Sequence, residues 1–416
     1  MERLRRHRPA WLTLPVLTVS VLSVAAGIAQ FSVTAVIGDV AQAFGEVSDG
    51  DDLASQIGLP TTTVGIALSL IRLASLASMP AASLADRYGR RNVLLWLAAL
   101  GLTVTSLAAA APAFWWYVAL AALARPAMST VNALAGVVAA EESRATDRSA
   151  AIALIAVAYG LGSGLIAFVR GVLPGEPSFR VVTAFAVIPL LLLPLLAAKI
   201  REPAIAREHQ VARLIPGAIP RLYVGRVITL GVLTGTAALA TGPGFTFLFV
   251  YGERIIGVTP LYLSTLVLLA GPAGLVGILL GRAGADRLGR RITAAVAMTT
   301  TGIAVAVGYA GSASGLTIGY LVAIAGSSGF AAPMGALAAE LVPTEIRATV
   351  AGWMTFAAVI GAVGGLIGVG VLGDITGTFG TPTVVISIVV AITSLAFAML
   401  PETRGWELDD THLGSR

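Results

Sequence analysis

The chain has 416 residues, of which 56% are hydrophobic and only 12% are charged, with a mean hydropathy of +0.88 and no cysteine. Soluble domains are about 45–50% apolar and about 25% charged, so the composition excludes a water-soluble protein and indicates an integral membrane protein. The absence of cysteine excludes disulfides and thiol chemistry.

Twelve apolar runs are long enough to cross a bilayer, which takes about 20 residues per helix. The first is too long for a signal peptide and lacks a cleavage site, so we predict that it is retained. We therefore predict an all-α membrane protein whose twelve transmembrane helices lie near residues 12–38, 60–85, 92–111, 114–138, 149–172, 179–198, 226–251, 260–281, 291–310, 314–337, 348–372 and 378–400.

The cations are distributed unevenly between the two sides of these spans. With both termini on one side, 22 of the 27 Lys and Arg residues fall on that side, and only Arg170, Arg180 and Arg254 fall in the opposite loops. Cytoplasmic loops are enriched in cations, so this bias predicts cytoplasmic termini and explains the net charge of +5 without a nucleic-acid partner. The two remaining cations, Arg72 and Arg125, lie inside predicted spans.

The chain contains an internal repeat. The segment Ala85-Asp86-Arg87-Tyr88-Gly89-Arg90-Arg91 recurs 200 residues later as Ala285-Asp286-Arg287-Leu288-Gly289-Arg290-Arg291, and Ala139-Ala140-Glu141 with Arg148 recurs 199 residues later as Ala338-Ala339-Glu340 with Arg347. We predict a duplicated six-helix bundle, with a first copy at residues 1–200, a cytoplasmic linker at 201–221 and a second copy at 222–416.

Parallel six-helix halves with a substrate site between them characterise one large carrier class. With the doubled Asp-Arg-x-Gly-Arg-Arg loop, the chain resembles the major facilitator superfamily over nearly its whole length. Glu340 to Thr349 and Pro401 to Gly405 are similar to motifs of sugar porters and organic-ion transporters. The resemblance implies two bundles related by pseudo-twofold symmetry that expose a central site alternately to either side. Helix seven lacks the paired glutamines of sugar porters, which argues against a hexose, and helix five lacks the Gly-Pro element of antiporters.

The repeated charges predict a conformational latch at the cytoplasmic face. A carboxylate near a helix N-terminus gains from the helix dipole and from arginine pairing, and such pairs can break when the halves move. The alternative is a topology signal with solvated loop charges. The predicted latch residues are Asp86, Arg87, Arg90, Glu141, Arg148, Asp286, Arg287, Arg290, Glu340 and Arg347.

The resemblance implies that helices one, four, seven and ten line the central cavity, and a charged residue at membrane depth is functional by default. Two intramembrane cations favour an organic anion as substrate. Alternatively, Arg125 bonds neighbouring carbonyls, Arg72 bonds backbone or a rim acid such as Asp39, and the other residues are packing. The predicted substrate-binding residues are Arg125, Arg72, Asn132, Ser129, Gln30, Thr241, Phe245 and Ser327.

We predict a secondary transporter of a small organic solute in the plasma membrane of a bacterium, acting as a monomer. Asp39 is the first choice for proton coupling, as in a symporter, while uniport and anion exchange stay open. A drug or hydrophobic-compound exporter and a lipid flippase are the alternatives. Catalytic residues, a metal site and a cofactor are not predicted, because the predicted spans hold no His, Cys or carboxylate pair. The expected partners are the substrate and the lipid bilayer.

Overall fold

A computed structural model describes residues 13–48, 50, 52–144, 147–173, 178–200 and 219–404, so the predicted linker lies largely outside the described residues. The structure in these ranges is all-helical. The helices are α1 (Leu14–Phe44), α2 (Leu53–Ile57), α3 (Thr61–Ala74), α4 (Ser78–Tyr88), α5 (Arg90–Ala108), α6 (Phe114–Glu141), α7 (Arg148–Val172), α8 (Phe179–Ala184), α9 (Val187–Ala197), α10 (Arg221–Thr246), α11 (Leu248–Val250), α12 (Pro260–Arg287), α13 (Arg290–Gly308), α14 (Ala313–Glu340), α15 (Thr344–Thr376) and α16 (Gly380–Ser394).

Among the described residues, twelve helical segments are long and apolar enough to cross a membrane, which confirms the predicted fold class and number of spans. Their boundaries differ in places from those predicted. The first span continues to Phe44 rather than residue 38, and the seventh ends at Thr246, after which a short helix and a π-helical turn, Tyr251–Ile255, follow. The Gly-Pro-Gly element at 242–244 lies inside α10.

The second span is divided. A 3₁₀ turn, Ser75–Ala77, separates α3 from α4. Pro80 lies in the first turn of α4, and a proline ring clashes with the carbonyl of the residue four positions before it. The local sequence therefore accounts for the joint in this span.

The described chain forms two compact units. Unit 1 comprises Met1–Val40 and Ala74–Leu214, and unit 2 comprises Ala41–Leu73 and Ile215–Arg416. Residues 41–73 thus pack with unit 2, although they precede the predicted linker. They do so because α3 lies directly against α15, where the Ser69 hydroxyl donates to the Val363 carbonyl at 3.2 Å.

Unit 1 is held together by close backbone contact between α1 and α7. A Cβ atom at Gly162 would lie 2.1 Å from the Val24 carbonyl oxygen, and one at Gly27 would lie 2.2 Å from that of Tyr159. Small residues that let membrane helices approach in this way are the usual basis of helix packing in bilayers. Around this contact, apolar residues of α1, α5, α6 and α7 form a buried cluster.

Unit 2 repeats this arrangement between α10 and α15. A Cβ atom at Gly361 would lie 1.9 Å from the Gly235 carbonyl oxygen, and Gly361 follows Gly162 by the 199 residues of the sequence repeat. A cluster of aromatic rings from Phe247, Tyr251, Tyr309 and Phe379 fills one end of the unit, with ring centroids 4.6–6.1 Å apart.

Candidate functional site

A polar stripe runs along α6 in unit 1. Arg125, Ser129, Asn132 and Gly136, here called the α6 stripe, follow at intervals of four, three and four residues and so share one helix face. The three side chains are half-buried, and a Cβ atom at Gly136 would meet nothing within 4 Å. At Gly136 the stripe therefore borders open space, whereas Asn132 contacts α1.

Arg125 is the chemically distinctive member of this stripe. Its Nε atom is buried and has no hydrogen-bond partner among the residues that the structure describes. Burying an unsatisfied polar group costs free energy, and guanidinium N–H groups are well suited to a carboxylate or phosphate. An acceptor that reached this Nε would therefore break no hydrogen bond to another described residue.

The neighbours of Arg125 are fixed by other contacts. The Ser23 hydroxyl of α1 lies 2.5 Å from Asn132 Oδ1 and 3.0 Å from the Ile155 carbonyl oxygen, which holds Asn132 in place between α1 and α7. Met128, which precedes Ser129 in the chain, packs into the space beside Gly101 and is 1% exposed. Gln30 is buried within α1.

The other predicted binding residues belong to unit 2. Arg72 lies on α3 and is exposed. The hydroxyls of Thr241 and Ser327 donate to carbonyls of their own helices, Ala237 at 3.2 Å and Ile324 at 3.1 Å. Phe245 is half-buried, with its ring 5.9 Å from that of Tyr320. Phe247 and Phe249, which follow Phe245 closely in the chain, lie in the core of unit 2.

A buried ion pair joins α1 to α7 in unit 1. The Arg170 guanidinium donates to both carboxylate oxygens of Asp39 at 2.8–3.2 Å. Arg170 is 1% exposed and lies in the last turn of α7. This helix ends at Val172, as the predicted span does, so counting Arg170 among the loop cations was wrong. The proton-coupling role of Asp39 stays a prediction, and any proton it accepts must compete with Arg170.

The Arg-rich end of unit 1 carries several of the predicted latch residues. Arg90 pairs with Glu141, and Arg148 Nε donates to the Ala140 carbonyl at 3.1 Å. Arg91, which was not predicted as a latch residue, donates to the Ile200 carbonyl at 2.8 Å. Arg87 is exposed, and the side chain of Asp86 lies outside the described residues.

Unit 2 has the same contacts at its own Arg-rich end. Arg290 pairs with Glu340 at 3.3 Å, Arg347 Nε donates to the Ala339 carbonyl at 3.1 Å, and Arg291 donates to the Leu400 carbonyl at 2.9 Å. Asp286 and Arg287 are exposed. The sequence repeat is therefore also a repeat of side-chain contacts.

Sequence reasoning missed the role of Glu402, although it singled out the segment that contains this residue. The Glu402 carboxylate accepts hydrogen bonds from the backbone N–H groups of Arg290 at 2.8 Å and Arg291 at 3.2 Å, where it caps the N-terminus of α13. Next to it, the Thr403 hydroxyl bonds the Glu340 carboxylate. The signal that could have revealed this was a carboxylate directly after the last span, since anionic groups stabilise helix N-termini.

Among the described residues, no group of three or more Asp, Glu or His side chains is placed so that it could hold a metal ion. Unit 1 contains the buried Asp39–Arg170 pair, the Arg90–Glu141 pair and the buried Nε of Arg125.

A sequence model of the Major Facilitator Superfamily matches residues 17–285. No curated protein sequence matches the chain. Among solved structures, the xylose transporter XylE from E. coli is 14% identical, with a TM-score of 0.76 over 96% of this chain and 98% of that one. A bacterial homologue of the human lysosomal transporter Spinster is 14% identical, with a TM-score of 0.71 over 96% and 99%. The human organic anion transporter MFSD10 is 17% identical, with a TM-score of 0.66 over 94% and 100%. At these identities the likeness is one of fold.

Proposed function

Because the chain belongs to the major facilitator superfamily, and is a transporter with twelve spans rather than an enzyme, we propose that it carries a small organic anion by alternating access. In this proposal residues 1–200 and 222–416 form the two moving halves. The choice of an anion rests on the Nε of Arg125 on the α6 stripe, which is buried and has no hydrogen-bond partner in the described part of the chain.

Placing a cation inside a bilayer costs free energy. A guanidinium at the centre of a bilayer costs about 2.5–3.5 kcal/mol on insertion scales. A carboxylate ligand offsets this cost through two parallel, charge-assisted hydrogen bonds. Ser129 and Asn132, on the same face, add polar groups that can bind a second substituent of the solute. Among the similar folds, MFSD10 is described as an organic anion transporter, XylE as a xylose transporter and NupG as a nucleoside transporter.

These descriptions define a direct test. We expect benzoate and succinate to raise the melting temperature of the purified protein more than xylose, uridine or tetraphenylphosphonium do, and to be taken up by proteoliposomes. Losing hydrogen bonds to a charged group should weaken anion binding of Arg125→Ala by about 10- to 100-fold, with partial recovery in Arg125→Lys. Arg282→Ala, which removes an exposed cation on α12, serves as the control. Equal shifts for anions and cations, or an unaffected Arg125→Ala, would contradict the proposal.

A second candidate substrate class is a hydrophobic or amphipathic compound. A groove of about 710 Å³ between α10 and α15 in unit 2 is lined almost wholly by apolar side chains, including Val227, Ile228, Trp353, Phe356 and Ile360. Its volume lies in the range of ligand pockets. The groove supports the alternative of an exporter or lipid flippase, in which it would hold an alkyl chain.

The effect of the ligand's alkyl-chain length on affinity distinguishes this candidate from the first. If the groove holds an alkyl chain, affinity across a series from acetate through octanoate to laurate should rise about fourfold for each added methylene. Gly231→Phe, which fills the groove, should flatten that series, whereas Gly225→Phe on the same helix should not, since Gly225 is not part of its lining. If affinity rises steeply with alkyl-chain length and Gly231→Phe leaves that rise unchanged, the groove is not the binding site of the alkyl chain.

We also propose that the termini lie in the cytoplasm and that the repeated charges close the cytoplasmic face. The cation distribution supports cytoplasmic termini in a bacterial plasma membrane, with both Arg-rich ends facing the cytoplasm. There the Arg90–Glu141 and Arg290–Glu340 pairs would position Asp86 and Asp286 to hold the cytoplasmic face closed in the outward-open state.

A further inference from the structure

The C-terminal end of α15 caps the N-terminus of α3. Asp374 accepts hydrogen bonds from the backbone N–H groups of Thr61 at 2.7 Å and Thr62 at 2.9 Å, one with each carboxylate oxygen. These N–H groups have no partner within their own helix, and the negative charge stabilises the positive end of the helix dipole. Thr61 belongs to the first sequence copy and Asp374 to the second.

Below this cap, α3 and α15 pack closely. A Cβ atom at Gly65 would lie 2.5 Å from the Leu366 carbonyl oxygen, and one at Gly370 would lie 2.8 Å from that of Thr61. The Ser69 hydroxyl, which is 2% exposed, donates to the Val363 carbonyl. The contact therefore extends over about two turns of α3, from Thr61 to Ser69.

We propose that this contact is the outer gate of the transporter and that Asp374 is its latch. The inference rests on the proposed function, because alternating access requires contacts between the two copies that form and break. The Asp374 carboxylate suits such a contact, since it is exposed and water can replace its hydrogen bonds when the helices part. Glycines contribute little apolar surface, so separating the helices exposes few buried side chains.

The cap made by Glu402 provides a comparison within the same protein. It uses the same chemistry, a carboxylate on two backbone N–H groups, but both partners belong to the second copy. It should persist throughout a transport cycle, whereas the Asp374 cap should open.

The first test measures how often the gate opens, without any substrate. Because the protein has no cysteine, Ser69→Cys is a single reporter that a membrane-impermeant maleimide can reach only when α3 leaves α15. Asp374→Asn, which keeps one acceptor oxygen and removes the charge, should speed labelling of this cysteine about tenfold. Glu402→Gln should leave the rate unchanged. An equal rate with and without Asp374→Asn, or the same acceleration by Glu402→Gln, would overturn the latch.

The second test asks whether the gate must open for transport. A Cβ atom at Gly373 would lie 3.7 Å from Thr61 Cβ, within the range for a disulfide. The Thr61→Cys/Gly373→Cys variant should cross-link on oxidation, and benzoate uptake into proteoliposomes should fall at least tenfold and return on reduction. The matched pair Gly284→Cys/Thr293→Cys, 3.5 Å apart between Cβ positions within the second copy, should cross-link with uptake preserved.

Uptake that continues through the first cross-link would overturn the gate. If neither benzoate nor any other solute is taken up by the unmodified protein, the proposed function fails, but the labelling rates of Ser69→Cys still decide whether Asp374 holds α3 and α15 together.

Discussion

Replacing Asp39 with asparagine is expected to destabilise the protein by about 3–5 kcal/mol, because it leaves a buried guanidinium without its counter-charge. Arg170 is 1% exposed and donates three hydrogen bonds to this carboxylate. Thermal unfolding of the purified protein in detergent should show the loss as a clear drop in melting temperature.

The double variant Asp39→Leu/Arg170→Met provides the control. Replacing a buried ion pair with apolar residues of similar volume is often neutral, so this variant should recover most of the lost stability. An Asp39→Asn variant as stable as the parent would show that the pair contributes nothing. If Asp39 is also the coupling group, the double variant should take up benzoate at a rate that no longer depends on a pH gradient.

Replacing Gly162 with alanine is expected to be the most damaging of the small substitutions in unit 1. The added methyl carbon would lie 2.1 Å from the Val24 carbonyl oxygen and 2.9 Å from its carbon. Backbone atoms cannot turn aside as a side chain can, so α1 and α7 must separate, at a cost of about 1–3 kcal/mol or more. The yield of monodisperse protein on gel filtration and the melting temperature should both fall.

Gly160 gives a matched control two residues away on the same helix. A Cβ atom there would meet nothing within 4 Å, so Gly160→Ala should be neutral or stabilise α7 by about 0.5–1 kcal/mol. Gly361→Ala, at the repeat-related position in α15, should resemble Gly162→Ala. Equal stability of the two α7 variants would mean that α1 and α7 are not in close contact.

The fold was predictable because membrane spans are encoded locally. Twenty apolar residues and the charges that flank them identify each helix without reference to the rest of the chain. The repeated arginine motif also predicted where charges would gather, and the pairs Arg90–Glu141 and Arg290–Glu340 lie there. Among the predicted binding residues, the stripe of Arg125, Ser129 and Asn132 follows directly from helical spacing.

The contacts that sequence reasoning missed join residues far apart in the chain. Arg170 and Asp39 are 131 residues apart, and Asp374 and Thr61 are 313 apart. Spacing within one helix carries no information on which other helix it will face. An aromatic residue in the sequence likewise does not reveal its partner, and Phe247 packs against Phe379, which lies far from it in the chain.

The two sequence copies share the side-chain contacts of their Arg-rich ends but differ in the contacts at their opposite ends. The ion pairs and carbonyl contacts of the arginine motifs occur twice, but the positions 200 residues after Asp39 and Arg170 hold Leu239 and Gly370, so the second copy lacks that buried pair. The contacts of the arginine motifs are thus common to both copies, whereas the buried Asp39–Arg170 pair belongs to the first copy alone. A protein assembled from two first halves would therefore keep two matched arginine motifs and lose Asp374, the partner that holds Thr61.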